Sequence, residues 1–392
     1  MTTALPLSVN EASARGAADT VREITQQPTV WREVFGYVAS NREMIDTFLK
    51  PILEKEGLRI ILTGAGTSAF AGKMLTPVLS ASLERPVEAA ATTDIVSRPA
   101  ECFPAPHPVL LVSFARSGNS PESIAATQLA DKLSSECYHL IITCNPEGRL
   151  HQEHHADARS LVLMMPAMAD DQGFAMTSSV TAMMLAVLGA LSPERVHAEV
   201  VERIISATQD ILTSAVNSIK QQAENKFQRV VYLGSGVFNS LAQESALKML
   251  ELTAGMTLSY NDTPLGFRHG PKALLDDKTL VLVFVSNDPY ARRYDLDILE
   301  ELANQPGSGS VIAITASELD GHSLDGVWKA NGLSKDGDWA LLFPYLVYAQ
   351  VLALHSSLAL GKTPDNPFPS GEVNRVVQGV TIHPFEIGTL GI

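Results

Sequence analysis

Two segments of the sequence carry residue types and spacings that could do chemistry. The first is Val112-Ser-Phe-Ala-Arg-Ser-Gly-Asn-Ser-Pro-Glu-Ser123. An apolar, branched run ends at Phe114, and Ser120 and Pro121 then stand where the N-cap and first residue of a helix belong. Free N–H groups and the positive end of a helix dipole would point at the turn between them. Ser117, Asn119 and Ser120 add side-chain donors, Gly118 lets a ligand approach the backbone, and Arg116 brings a positive charge. So many donors in one turn suit a phosphate monoester; the plain alternative is a capped helix after a strand. Gly64-Ala-Gly66-Thr67-Ser68 is a companion turn, with hydroxyls at Thr67 and Ser68 that suit a sugar or a phosphate. Its Gly-x-Gly-x-x-Ala spacing also fits a dinucleotide-binding turn. The acid expected about 20 residues further on is badly placed for that, because Asp94 lies 28 residues after Gly66.

The second segment could move protons. Gln243-Glu-Ser-Ala-Leu-Lys-Met-Leu-Glu251 reads as a helix on which Glu244, Lys248 and Glu251 stand at i, i+4 and i+7. They share one face, with Leu247 and Leu250 off that stripe. On most helices such a stripe is a solvated row of ion pairs. This helix, however, follows a second glycine turn, at the sheet end where α/β proteins bind ligands. The loop from Asn261 to Pro271 then supplies His269, whose imidazole can shuttle a proton near neutral pH. His151, His154 and His155 cluster without a matching carboxylate or cysteine set, so no metal site is expected.

The elements that must position these groups follow from hydrophobic patterning. Three short apolar runs, Arg59–Thr63, Val109–Phe114 and Leu140–Thr143, each end in a Gly, Ser or Asn turn, with polar helical stretches between them. That alternation predicts parallel strands covered by helices on both faces. The pattern then returns. Gly234-Ser-Gly236 lies 170 residues after Gly64-Ala-Gly66, Leu280–Phe284 lies 170 after Leu110–Phe114, and Ile312–Thr315 lies 172 after Leu140–Thr143. A near-constant offset predicts a duplicated α/β unit, divided near residue 200 where Ser192-Pro193-Glu194 ends an apolar helix. Upstream, Thr20–Gln26 and Trp31–Leu53 read as helices separated by Pro28. The expected organisation is a helical segment 1–55, a first domain 56–200 with the phosphate turn, and a second domain 201–392 with the acid–base helix and the His loop.

Composition bounds the function. Over 392 residues, 45% hydrophobic content supports real cores and excludes a disordered chain. A net charge of −14, from 43 acids and 29 bases, repels phosphate polymers, so no nucleic-acid partner is expected. Cys102, Cys137 and Cys144 cannot build a disulfide framework, which fits a reducing compartment. No apolar leader is visible in the first twenty residues, and the apolar run Ala182–Leu191 is about half a membrane span. A cytoplasmic protein without a membrane partner is expected.

Taken together, LTGAGTSAF, ATTDIV, LLVSFARSGNSPES, FAMTSS, ALKMLELTAG and PLGFRHGPK resemble the SIS (sugar isomerase) superfamily. The layout is similar to the isomerase half of glucosamine-6-phosphate synthase. The phrases look most like the galactosamine-6-phosphate deaminase/isomerase subgroup, also known as tagatose-6-phosphate ketose/aldose isomerases. The resemblance implies an α/β protein of two tandem SIS domains, each a parallel sheet flanked by helices, with an N-terminal helical extension. It implies that Gly66, Thr67, Ser68, Arg116, Ser117, Gly118, Asn119 and Ser120 bind the sugar phosphate. Glu251 would move a proton between C1 and C2, with Lys248 beside it stabilising charge on the C1 oxygen. His269 would assist ring opening and be donated by a neighbouring subunit, so a homodimer is expected. Gln378 stands where the synthase has its Schiff-base lysine, and no glutaminase cysteine is seen, so glutamine-dependent amination is not implied. What remains is conversion of D-galactosamine 6-phosphate to D-tagatose 6-phosphate and ammonia, with no metal or redox cofactor. Simple aldose–ketose isomerisation of a phosphosugar, deglycation of a phosphorylated fructosamine and non-catalytic sugar-phosphate sensing are the alternatives. Arg375 is a candidate to close over the ligand.

Overall fold

The computed structural model describes residues 5–305, 307–319, 324–377 and 379–386. The chain forms two compact units. One comprises Glu33–Asp170, Ala182–Arg195 and the segment from Val373 onward; the other comprises the chain up to Arg32, Asp171–Thr181 and Val196–Glu372.

In the first of these units, five parallel strands form a sheet: β1 (Arg59–Thr63), β2 (Val87–Ala89), β3 (Pro108–Ala115), β4 (Glu136–Thr143) and β5 (Ser160–Met164). Their order is β2-β1-β3-β4-β5. In the other unit β6 (Arg229–Gly234), β7 (Leu258–Asp262), β8 (Thr279–Phe284), β9 (Ser310–Thr315) and β10 (Gly326–Lys329) take the same path, β7-β6-β8-β9-β10. The duplication extends to backbone detail. Gly66 (φ 55°, ψ −126°) and Gly236 (φ 58°, ψ −125°) precede helices Thr67–Ser82 and Val237–Leu252, each of 16 residues. Only glycine adopts that conformation without strain.

The central strands β3 and β8 are buried on both faces, as their unbroken apolar runs predict. The strands missing from the sequence reading are β2, β5, β7 and β10, the edges of the two sheets. β2, β7 and β10 are short and mixed in polarity, and Leu258 of β7 is half exposed, so no continuous apolar run marks them; β5 does carry one, Leu161–Met165, which the reading passed over.

Two other expectations change. Pro28 does not separate helices: it lies inside one helix, Ala18–Ser40, and the break falls before Arg42–Leu53. Proline at 28 leaves the carbonyl of Ile24 without its usual backbone donor, and the Gln27 side-chain amide fills that role at 3.2 Å. Gln27 also donates to Gln350, and Trp31 to Thr181, so buried contacts hold the helix through the proline. Ala182–Leu191 belongs to the apolar helix Ser178–Leu191, but a longer apolar helix is Asp338–Ala359. By length and composition it could cross a membrane; 94% of its apolar window is buried inside the protein, as in a core helix.

A buried acid pair sets a pH dependence. Glu23 accepts the N–H groups of Gln172 and Gly173, while Asp171 accepts those of Thr177, Ser178 and Ser179. Burial, and then the charge of Asp171, push the Glu23 carboxyl up to about 8. An unfolded glutamate titrates near 4.3. Between those values the folded chain holds more protons than the unfolded one, so this group's contribution is fully present at low pH and lost as pH rises through about 8. Glu23→Gln is therefore expected to flatten the fall in thermal midpoint between pH 5 and pH 8.5. An unchanged slope in scanning calorimetry would refute the assignment.

Candidate functional site

At the carboxyl end of β3 the chain turns through Arg116–Ser120 into helix Pro121–Leu133. Gly118 takes φ +63°. The carbonyls of this turn face a neighbouring segment: Cys144 N–H donates to Arg116 O at 3.3 Å, Asn145 Nδ2 to Ser117 O at 2.9 Å and Leu150 N–H to Gly118 O at 3.0 Å. Arg149 N–H donates to Asn119 Oδ1 at 3.0 Å. The N–H groups of Ser117, Gly118 and Ser120 find no acceptor among the described residues. Ser120 has the extended backbone of an N-cap, but its hydroxyl pairs with Ser123 Oγ at 2.6 Å instead of capping. The turn thus keeps donors for an external anion.

Sequence reasoning found the donors and missed their support. Gly148 lies so close that a Cβ there would sit 2.5 Å from Ser117 O. The only sequence signal was the Asn145-Pro-Glu-Gly148 turn. Arg116 is buried and donates to the carbonyl of Arg375 at 3.0 Å, and the Arg375 guanidinium lies 3.7 Å from Asp170. Thr67 and Ser68 are buried in the first turn of helix Thr67–Ser82, behind Gly66. Gln378 lies outside the described residues.

The acid–base residues belong to the other unit. On helix Val237–Leu252, Glu244 and Lys248 are wholly buried, whereas Leu247 and Leu250 are only partly covered. The charged stripe therefore faces inward and is not a solvated row. Lys248 pairs with Glu251, and its Nζ lies 3.5 Å from Glu244. Burial works against the ammonium, but the two carboxylates outweigh it and raise the Lys248 pKa. Glu251 is the member of the trio that reaches solvent, with 24% of its side chain exposed.

His269 follows the short helix Pro264–Phe267, capped by Thr263 Oγ1 accepting Gly266 N–H at 2.9 Å. It is exposed, and its imidazole has no hydrogen-bond partner among the described residues. The loop cations Arg268 and Lys272 are both paired to Glu301, which leaves His269 as the loop's free titratable group.

The duplicated fold places a second turn after β8, and carboxylates of the same unit fill it. Asp295 accepts Ser286 N–H at 2.9 Å and the Ser235 hydroxyl at 2.6 Å. Asp338 accepts Asn287 N–H at 2.8 Å, and Asp288 accepts Tyr290 and Ala291 N–H at 3.0 and 2.8 Å. Burial pushes the Asp295 carboxyl up to about 6, against these hydrogen bonds. The turn after β3 keeps open donors that its counterpart satisfies internally.

Comparison with known proteins agrees with this architecture. The family model described as SIS domain matches residues 52–192 and 225–323. An AgaS protein of Streptomyces coelicolor is 52% identical over 94% of this chain and 96% of its own. D-galactosamine-6-phosphate deaminase AgaS of Escherichia coli is 45% identical, covering 97% of this chain and 100% of that protein. The crystal structure of tagatose-6-phosphate ketose/aldose isomerase from Escherichia coli aligns with a TM-score of 0.86 at 44% identity, over 94% of this chain and 97% of that one. With its family segments on both five-stranded sheets and relatives of this identity along nearly its whole length, the chain belongs to the SIS domain family.

Proposed function

We propose that the protein is an amino-sugar phosphate deaminase/isomerase that converts D-galactosamine 6-phosphate and water to D-tagatose 6-phosphate and ammonia. The observation that carries this reading is the inward-facing Lys248–Glu251 pair, a carboxylate held beside a buried cation and open to solvent on one side. The whole-length identity to AgaS relatives supports the substrate class. The open N–H groups of Ser117, Gly118 and Ser120 hold the phosphate, with Gly66, Thr67, Ser68, Arg116 and Asn119 shaping the surrounding turns.

His269 moves a proton from O1 to the ring oxygen and opens the pyranose. Glu251 takes the C2 proton to give an enolamine, while Lys248 stabilises charge on O1. Glu251 returns the proton to C1 and an N–H proton passes to O1, leaving a hydroxymethyl group at C1 and an imine at C2. Water adds at C2 and ammonia departs, leaving the ketone. Each step uses acid–base groups of this chain. His269 is contributed by a second subunit of a homodimer in this reading, which its exposed, unpartnered imidazole supports. The enzyme works in the cytoplasm, with 56–200 and 201–392 as its two domains after the helical segment 1–55.

The test is an assay of the purified protein with galactosamine, glucosamine and N-acetylgalactosamine 6-phosphates. Equimolar ammonia and ketose from galactosamine 6-phosphate alone are expected. Interconversion of tagatose 6-phosphate with its aldose, and no ammonia from any amino sugar, would replace this reading with a plain isomerase. The name of the solved Escherichia coli relative favours that second reading.

Gly148 offers an independent check on the phosphate turn. Gly148→Ala forces the Ser117 carbonyl to move. A displacement of that size is expected to raise KM about tenfold or more and to affect kcat less. Unchanged KM would show that the turn does not hold the substrate.

A further inference from the structure

Strand β4 places Cys137 and His139 at i and i+2, on one face of the sheet, and both are fully buried. Asp131, in the last turn of helix Pro121–Leu133, meets them there, with its Oδ1 3.1 Å from His139 Nε2. One ligand atom from each of the three residues lies within 4.8 Å of the others. In the sequence, the visible histidine cluster is His151, His154 and His155. In the structure His151 and His155 stack on each other, and His154 bonds to Ser160 Oγ at 2.8 Å.

We propose that Asp131, Cys137 and His139 form a zinc site, completed by water, that pins the last turn of the phosphate-turn helix to β4. A thiolate, an imidazole and a carboxylate form a donor set that favours zinc over magnesium or calcium. Around one zinc ion, with bonds of about 2.0–2.3 Å, neighbouring ligand atoms stand roughly 3–4 Å apart. The Asp131–His139 spacing already meets that, and the wider limit of 4.8 Å closes with side-chain rotation.

His139 Nε2 faces Asp131 as the ring's one hydrogen-bonding contact, while Nδ1 is buried with no hydrogen-bond partner. Asp131 is part-exposed, giving an ion a path from solvent. The groups facing the site are few. The His154 ring lies 4.6 Å from that of His139, with its pKa lowered first by burial and then by His139, and the Arg159 guanidinium is 4.0 Å from Asp131. Zinc takes cysteine as the thiolate, so its uptake displaces the Cys137 proton.

The site is remote from the proposed chemistry. Thr143, where β4 meets the phosphate turn, is four residues beyond His139, or roughly 13 Å along a strand. Zinc there would stiffen the helix that presents the phosphate donors, and it would take no part in proton transfer.

Cobalt(II) provides the test, because a cysteine-bound cobalt ion shows a near-ultraviolet charge-transfer band. Titration of the reduced, metal-stripped full chain is expected to saturate at about one equivalent per chain with that band. Cys137→Ser should abolish the band. Asp131→Asn, at an exposed position that the fold tolerates, should weaken cobalt binding about tenfold or more. Cys144→Ser and the pair His151→Gln with His155→Gln should leave the band intact. Zinc should displace cobalt and raise the thermal midpoint. No band at one equivalent, or a band that survives Cys137→Ser, would mean that Asp131 and His139 are only an ion pair.

Discussion

Glu251→Gln is expected to lower kcat by at least ~10²-fold with little change in KM. Glutamine keeps the shape and can still accept a hydrogen bond from Lys248, so the helix should pack as before. It cannot take a proton from carbon. Charge balance also favours an intact fold: Lys248 now faces two carboxylates, and the variant leaves it with the buried Glu244 alone. The loss should therefore appear in chemistry and not in binding. Inorganic phosphate is expected to inhibit variant and parent alike, since the Arg116–Ser120 turn is untouched. A sharper readout is exchange of the substrate's C2 hydrogen in heavy water, followed by NMR. The parent should exchange it during turnover and the variant should not. Wild-type turnover, or C2 exchange at the parent rate, would remove Glu251 from the mechanism.

The contrast between the two sites explains what the sequence could reveal. Central strands were legible because burial on both faces demands unbroken apolar runs, as in Val109–Phe114 and Leu280–Phe284. Edge strands such as β7 need no such run and were invisible. The donor-rich turn after β3 was legible because its residues are local: Ser117 to Pro121 are consecutive. Its support was not, because Gly148 and Asn145 reach it from the next strand's turn. The same reason hid the closed state of the second turn, where Asp338 arrives from a distant helix to accept Asn287 N–H. The Glu244–Lys248–Glu251 stripe is a different case. Its spacing fits a solvated salt-bridge row and a buried ionic trio equally well, and only tertiary burial separates the two. Pro28 misled for the opposite reason: a local rule was overridden by one side-chain hydrogen bond from Gln27.

Lys248→Met should lower both stability and activity, and a second substitution should separate the two effects. Met fills the volume of the lysine stem but leaves Glu244 buried without its cation. Breaking a buried ion pair by removing one partner costs about 3–5 kcal/mol. For a domain of this size that corresponds to a thermal midpoint lower by roughly 10 °C. Adding Glu244→Gln removes the stranded charge, and pairs of buried ions replaced together by neutral groups are often close to neutral in stability. The double variant is therefore expected to recover most of the lost midpoint. Its activity should stay low by about 10²–10³-fold, because the cation that faces developing charge on O1 is still gone. A merely structural lysine predicts the opposite, with turnover returning alongside the midpoint. Calorimetry and kcat on the same two proteins decide between them. Recovery of turnover in the double variant would reduce Lys248 to a packing role and leave Glu251 as the sole proton-transfer group on this helix.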